Sequence, residues 1–166
     1  MDKALSAITM NYNGYIITTD KSLMKVNDVH KWLSEVAYWC LGIPFETFKT
    51  AFDNSFCIGA LSGDRQIGYG RLVTDYATFA YLADVYVEEA HRGKGISKKM
   101  MQVLFDLDWV KGLRSIKLAT RDAHELYKKF GFTPLKNPER YMQILRAGIY
   151  EDQKGNSISE ADKITK

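Results

Sequence analysis

One run of residues restricts the fold of this chain more than any other: Val85-Tyr86-Val87-Glu88-Glu89-Ala90-His91-Arg92-Gly93-Lys94-Gly95-Ile96-Ser97. Its β-branched and aromatic start reads as a strand. A basic turn with two glycines follows. Residues 95–108 then carry Ile96, Met100, Val103, Leu104 and Leu107 at helical spacing. A strand that enters a helix through such a turn leaves free N–H groups at the helix start, where the helix dipole adds positive potential. Acids are favoured in a first helical turn. Here the turn and first helical turns hold Arg92, Lys94, Lys98 and Lys99, with no acid before Asp106. That pattern suits a bound anion, and Gly93 and Gly95 let the backbone approach one closely. A solvated basic turn would carry the same residues.

The sequence around this run supplies a meander. Residues 56–61 form a strand-like run. Ser62-Gly63-Asp64 is a turn signal, and residues 66–74 read as the hairpin partner. Residues 78–87 are a third, longer strand, and the short connections imply antiparallel pairing. Upstream, residues 14–19 alternate as a short strand. Asn27 or Asp28 can cap a helix whose apolar positions are Val29, Leu33, Val36 and Cys40, ended by Gly42. Pro44 opens a second helix with Phe45 and Phe48 on one face. Downstream, residues 115–119 read as a strand and residues 123–130 as a helix ended by Gly131. Strands are expected to begin at Phe132-Thr133 and to span residues 141–145.

This order describes a mixed α/β (α+β) domain at residues 1–150, followed by a loose polar tail at 151–166. A chain of 166 residues has the size of one domain with a full core. The net charge of +3 is too small for the dense basic stripe of a nucleic-acid binder, so no nucleic-acid partner is expected. No run approaches the ~20 apolar residues of a membrane span. No start of signal-peptide type is seen, so a cytoplasmic setting without membrane contact is expected. Cys40 and Cys57 have no paired ligand spacing and do not cluster with His30, His91 or His124, so no metal is expected.

Two familiar phosphate loops do not fit the basic turn. A P-loop needs a glycine five positions before its Gly-Lys pair and a Ser or Thr after it, whereas Gly93-Lys94 is followed by Gly95. A Rossmann fingerprint needs a third glycine and a parallel unit, whereas this turn follows an antiparallel meander.

A second constellation is Ala123-His124-Glu125-Leu126-Tyr127-Lys128-Lys129-Phe130-Gly131-Phe132. With it, the sequence resembles the GNAT family of acyl-CoA-dependent N-acetyltransferases. The family's cofactor loop, Arg/Gln-x-x-Gly-x-Gly/Ala, is matched by Arg92-Gly93-Lys94-Gly95-Ile96-Ser97. Its downstream helix pattern is matched at Ala123, Leu126, Tyr127, Lys129, Gly131 and Phe132. The resemblance covers residues 12–147, and Tyr38-Trp39, Gly42-Ile43-Pro44 and residues 74–85 look like a bacterial branch of undefined substrate. Two positions depart from the pattern. Ser97 replaces the third small residue. Thr120 stands where many members place an asparagine against the pantetheine arm.

The resemblance implies a mixed, mostly antiparallel sheet of about six to seven strands flanked by about four helices. It implies acetyl-CoA as cosubstrate, no metal, and direct acetyl transfer to a primary amine of a small molecule or peptide. Val85, Tyr86 and Val87 would hold the pantetheine and thioester through backbone groups. Arg92, Gly93, Lys94, Gly95, Ile96 and Ser97 would hold the pyrophosphate, with Thr120 and Tyr127 completing the cofactor site. Tyr127 would serve as acid to the departing thiolate. The amine must shed a proton, since alkylamines titrate near ~10.4. Asp84 is the first candidate base and Asp75 the second, with Glu88 and Glu35 also in view. Tyr38, Trp39, Phe45 and Tyr76 are candidates to line the acceptor pocket. Such domains often pair, so a homodimer is compatible with the resemblance. The alternative reading is a non-catalytic acyl-CoA-binding sensor on the same fold.

Overall fold

The computed structural model describes residues 6–150. Six strands form one sheet in sequence order: β1 (Thr9–Tyr12), β2 (Tyr15–Thr18), β3 (Phe56–Ser62), β4 (Arg65–Thr74), β5 (Phe79–Val87) and β6 (Ser115–Lys117). The first four pairings are antiparallel, and only β5 with β6 is parallel. Five α-helices cover the sheet among the described residues: α1 (Val26–Glu35), α2 (Phe45–Asp53), α3 (Ile96–Asp106), α4 (Asp108–Lys111) and α5 (His124–Lys128).

The central strands are apolar on both faces because both faces are covered. On β3, Cys57 turns to one core while Ile58 and Ala60 turn to the other. On β4, Ile67 and Leu72 join the latter core, and Tyr69 joins Cys57. The first core takes Val29 and Leu33 from α1 with Phe48 and Phe52 from α2. The second takes Ile96, Met100, Met101, Val103 and Leu104 from α3, with Val110 and Tyr127. The faces alternate along β3, whereas on β4 a register shift that leaves Ile67 unpaired between Gln66 and Gly68 lets Ile67 and Tyr69 enter opposite cores.

Four expectations are corrected. The strand read at residues 14–19 is the second arm of a hairpin, and β1 precedes it across Asn13-Gly14. The helix read at 95–108 breaks at Leu107, whose backbone is extended, and restarts as α4. The first helix ends at Glu35, so Val36 is exposed and Cys40 is buried from the following loop. Strands at Phe132-Thr133 and residues 141–145 do not form. Tyr141 lies beside β6, its ring centroid 4.1 Å from Lys117 Nζ, but the segment makes no ladder and Met142 is 97% exposed. The polar tail at 151–166 lies outside the described residues.

Burial raises several weak acids together. It pushes the Cys40 thiol up to about 12, with Asp84 adding to the effect. It pushes the Tyr127 phenol up to about 12, with Asp122 adding to it. Cys57, Tyr69 and Tyr86 are raised in the same direction by burial. Each group keeps its proton in the fold where the unfolded chain loses it. The unfolded state then binds fewer protons, so stability falls with rising pH. The contribution is complete below the ordinary values of 9.0 for cysteine and 10.0 for tyrosine, and is lost towards about 12. We expect the melting temperature to fall continuously between about pH 9 and pH 12. A thermal melt series read by circular dichroism checks this, and a flat profile from pH 9 to 11 contradicts it.

Candidate active site

The site forms where β5 loses a neighbour. Its ladder with β6 runs from Phe79 opposite Ser115 to Tyr81 opposite Lys117 and stops there. Residues 82–87 continue along β4 only, so the sheet opens on their other side. Backbone N–H and C=O groups on that side need a partner from water or ligand. Val85, Tyr86 and Val87 lie on this stretch, as the sequence suggests.

A bulge aims the chemistry. Tyr69 pairs with Tyr86 and Arg71 with Ala83, so Gly70 alone faces both Asp84 and Val85. Asp84 takes a left-handed backbone, φ 55°, which Asp tolerates better than most residues. One carboxylate oxygen accepts from Arg71 Nε at 2.6 Å and the other from Trp39 Nε1 at 2.9 Å. Arg71 also donates to Ser55 Oγ at 3.0 Å. The ion pair is mostly buried, with side-chain exposures of 18% for Arg71 and 12% for Asp84. Asp84 therefore fixes the connection between α1 and α2 to the bulge.

The basic turn leaves β5 through a short helical turn at Glu89–His91. Arg92 folds back, its Nε donating to the Val87 carbonyl at 3.0 Å, so this guanidinium pins the turn to the strand end. Gly93 and Gly95 both have positive φ, 74° and 77°. Open space surrounds the position of an added Gly93 β-carbon. Gly95 precedes α3 without any side-chain cap, so the first N–H groups of α3 lack a capping partner. Arg92, Lys94 and Lys98 are exposed around them. Ile96 points into the core, which leaves its backbone for a ligand, and Ser97 is half-buried.

Tyr127 is buried in the same core as Leu82, Val87 and Ile96. Its ring packs edge-on to Phe132 at 5.8 Å. Thr120 Oγ1 accepts from the Ala123 N–H at 3.0 Å and so holds the start of α5. The Tyr86 ring stacks on Trp32 at 3.8 Å on the α1 side, which leaves only its backbone facing the opening.

The four expected acceptor residues separate. Tyr38 and Trp39 pack edge-on at 5.0 Å next to Asp84. Arg121 stacks over Tyr38 at 4.2 Å, linking this connection to the loop after β6. Phe45 packs on His30 instead. Tyr76 packs on Phe56 and Trp109, which belong to the α3-side core. Asp75 is likewise elsewhere. It is fully exposed and caps its own turn, accepting from the Ala77, Thr78 and Phe79 N–H groups and the Thr78 hydroxyl. The Thr78 hydroxyl, followed by those N–H groups, holds its carboxyl well below the usual carboxylate range. Its oxygens serve the turn rather than a proton transfer. Glu88 pairs with Arg65 at 3.0 Å, and Glu35 ends α1 exposed.

Arg71 is the site residue that sequence reasoning passed over. Its signal was a lone arginine inside Ile67-Gly68-Tyr69-Gly70-Arg71-Leu72, where a buried cation needs a carboxylate and glycine marks a bulge. Among the described residues, no group of His, Cys, Asp or Glu is arranged to hold a metal. No described helix is long and apolar enough to cross a membrane.

An open strand edge, two glycines at positive φ and an uncapped cationic helix start thus follow one another along the chain from β5 to α3. The model of the "Acetyltransferase (GNAT) family" matches residues 26–132, so the chain belongs to the GNAT acetyltransferases. A solved Xanthomonas campestris protein, named as an acetyltransferase of the same family, is 40% identical with a TM-score of 0.79. The match covers 85% of this chain and 98% of that one. A Gibberella zeae protein named as an acetyltransferase is 30% identical over 135 residues, 69% of this chain and 76% of its own length. The thialysine N-epsilon-acetyltransferase of Bos taurus is 33% identical over 89 residues, 49% of this chain. The chain spans about half that relative's length, 52%.

The Asp84 cluster makes a stability prediction. Asp84→Ala removes both acceptors, leaves Arg71 without its carboxylate and places alanine at positive φ. We expect a loss of about 3 kcal/mol by urea unfolding. Asp84→Asn keeps an oxygen for Trp39 and tolerates the backbone, so its loss should be smaller. Equal losses for the two would contradict this account of the bulge.

Proposed function

We propose that this protein transfers an acetyl group from acetyl-CoA directly to a primary amine of a small molecule or peptide. The observation that carries this reading is the alignment of three parts. The ladder stops at Tyr81, the bulge sets Asp84 beside the opening, and the α3 start ends the same strand in a glycine cradle. A cytoplasmic setting suits the two buried free cysteines.

Bound acetyl-CoA would supply the activated thioester. The N–H groups at the start of α3, with Gly93 and Gly95, would hold its pyrophosphate, and Lys94 and Lys98 would add positive charge. The free edge at Val85, Tyr86 and Val87 would hold the pantetheine amides and direct an N–H at the thioester oxygen, where negative charge develops. Thr120 would flank the same arm. Tyr38 and Trp39 would wall the acceptor. Asp84, the base expected from the sequence, has both carboxylate oxygens engaged by Arg71 and Trp39 and would serve to position Trp39, leaving the amine proton to solvent water at the opening.

Tyr127 acts on the departing sulfur. With its phenol held up at about 12, it stays protonated throughout the working pH range. Full proton transfer to a thiolate of ordinary value near ~8.5 runs uphill, so its main contribution is a hydrogen bond to the developing charge. Support for an amine acceptor comes also from the bovine relative, which is named for acetylating the ε-amine of thialysine.

The test joins calorimetry with free-thiol release from acetyl-CoA over a panel of amines. Wild-type protein should bind CoA, and Gly95→Trp should abolish binding. Tyr127→Phe should lower kcat about 100-fold while leaving CoA affinity within about twofold. No decline assignable to phenol ionisation should appear in the wild-type rate below about pH 10. CoA binding without turnover on any amine would favour the sensor reading. Absence of CoA binding would refute both.

A further inference from the structure

The β1–β2 hairpin stands outside the machinery described so far, yet it touches the cofactor loop. Its two-residue turn is Asn13-Gly14, with φ of 51° and 82°. Both positive values mark the turn type that matches the twist of paired strands. That turn sets Tyr12 directly opposite Tyr15. Cross-strand partners project from the same face, and both tyrosines reach the loop. The Tyr15 hydroxyl lies 3.1 Å from His91 Nδ1 and accepts from Lys94 Nζ at 3.2 Å. Its ring meets His91 edge-on at 5.6 Å. Lys99 Nζ sits 5.9 Å from the Tyr12 ring centroid. The Tyr12 hydroxyl is 2.6 Å from the position a Gly95 β-carbon would occupy.

We infer that Tyr12 and Tyr15 are positioning residues of the cofactor site: the hairpin clamps the turn at Gly95 and Lys94, and thereby sets cofactor affinity. The inference rests on the proposal that this turn holds the CoA pyrophosphate. The Tyr15 hydroxyl shares a hydrogen bond with His91 Nδ1 and accepts from Lys94. One oxygen thus ties two points of the turn, either side of Arg92 and Gly93. Without this tether the turn would sample more conformations, and a ligand would have to bear the cost of ordering them. Tyr12 adds a steric constraint. Gly95 is needed for its positive φ, and a methyl group there would also force the Tyr12 phenol to shift out of its place against the turn.

The second point gives a test that simple loss of packing cannot mimic. Gly95→Ala should bind CoA much more weakly than wild type. Adding Tyr12→Phe to it should recover part of that loss. Removing the hydroxyl leaves Tyr12 ring atoms at 3.6 and 3.9 Å, ordinary contact distances. The φ cost remains, so recovery should be partial. Tyr15→Phe alone should weaken CoA about tenfold by calorimetry. In the CoA-free protein it should also accelerate amide hydrogen exchange at residues 91–95, with exchange in the central strands unchanged. Wild-type CoA affinity and unchanged loop exchange in Tyr15→Phe would overturn the inference. So would a Gly95→Ala loss that Tyr12→Phe does not relieve. If wild-type protein binds no CoA, the reading of the loop falls and this inference with it. If wild type binds and the tyrosine variants match it, the inference alone falls.

Discussion

The divided pairing of β5 is the constraint on which the rest depends. Along β4 it is antiparallel over its full length apart from one bulge. Along β6 it is parallel for three residue pairs. Backbone polar groups do not stay unpaired in a folded interior. A strand whose second ladder stops early must therefore face water or a ligand over its remaining residues. The bulge acts at the same place. It is the extra residue opposite Gly70 that lets Asp84 leave the regular alternation and reach both Arg71 and Trp39. The site is thus the part of the sheet where regular pairing fails in two ways at once.

The two cores distribute the chemistry. The α3-side core holds Ile96 and Tyr127 and so anchors the candidate cofactor loop and the candidate acid in one packed cluster. The α1–α2 core holds Val29, Phe48 and Tyr69, and carries the connection that presents Tyr38 and Trp39. β5 belongs to both, with Leu82 and Val87 in one and Tyr86 in the other. The elements proposed to hold donor and acceptor are consequently packed on opposite faces of one strand. This geometry suits two reactants that must meet at a single point.

The sequence read the central elements well for a physical reason. The strands β3, β4 and β5 are long and bounded by turn residues, and α3 has a full apolar stripe. What escaped was decided by tertiary contact. The β1 strand is four residues with only alternate partial burial, so its own pattern is weak. The Asn13-Gly14 dipeptide was the available signal for it. The 141–145 segment is strand-like in composition but lies exposed without a ladder. Of the candidate site, the basic glycine turn could be read from its residues, whereas the role of Tyr127 is implied only by the resemblance to the family. The Asp84–Arg71–Trp39 cluster could not be read, because its members lie 13 and 45 residues apart and meet only through a bulge. Asp75 and Tyr76 looked suitable by proximity to the long strand, but a turn-capping carboxylate and an aromatic on the other core serve the fold.

The contrast between buried and exposed contacts argues for where selectivity resides. Asp84, Arg71 and Tyr127 are held by packing and by mostly buried partners, and a change in any of them disturbs the strand or its core. Tyr38 and Trp39 are about half exposed, at 52% and 43%, and Tyr38 is joined to the β6–α5 loop only through the exposed Arg121. The stacking of Arg121 on Tyr38 contributes little to stability, so substitution of that pair should be tolerated, whereas Trp39 also donates to Asp84. These contacts also border the opening from the acceptor side. Tyr38 and Arg121, exposed and outside both cores, are therefore the candidate positions at which the proposed acceptor side could vary while the strand and its cores stay intact.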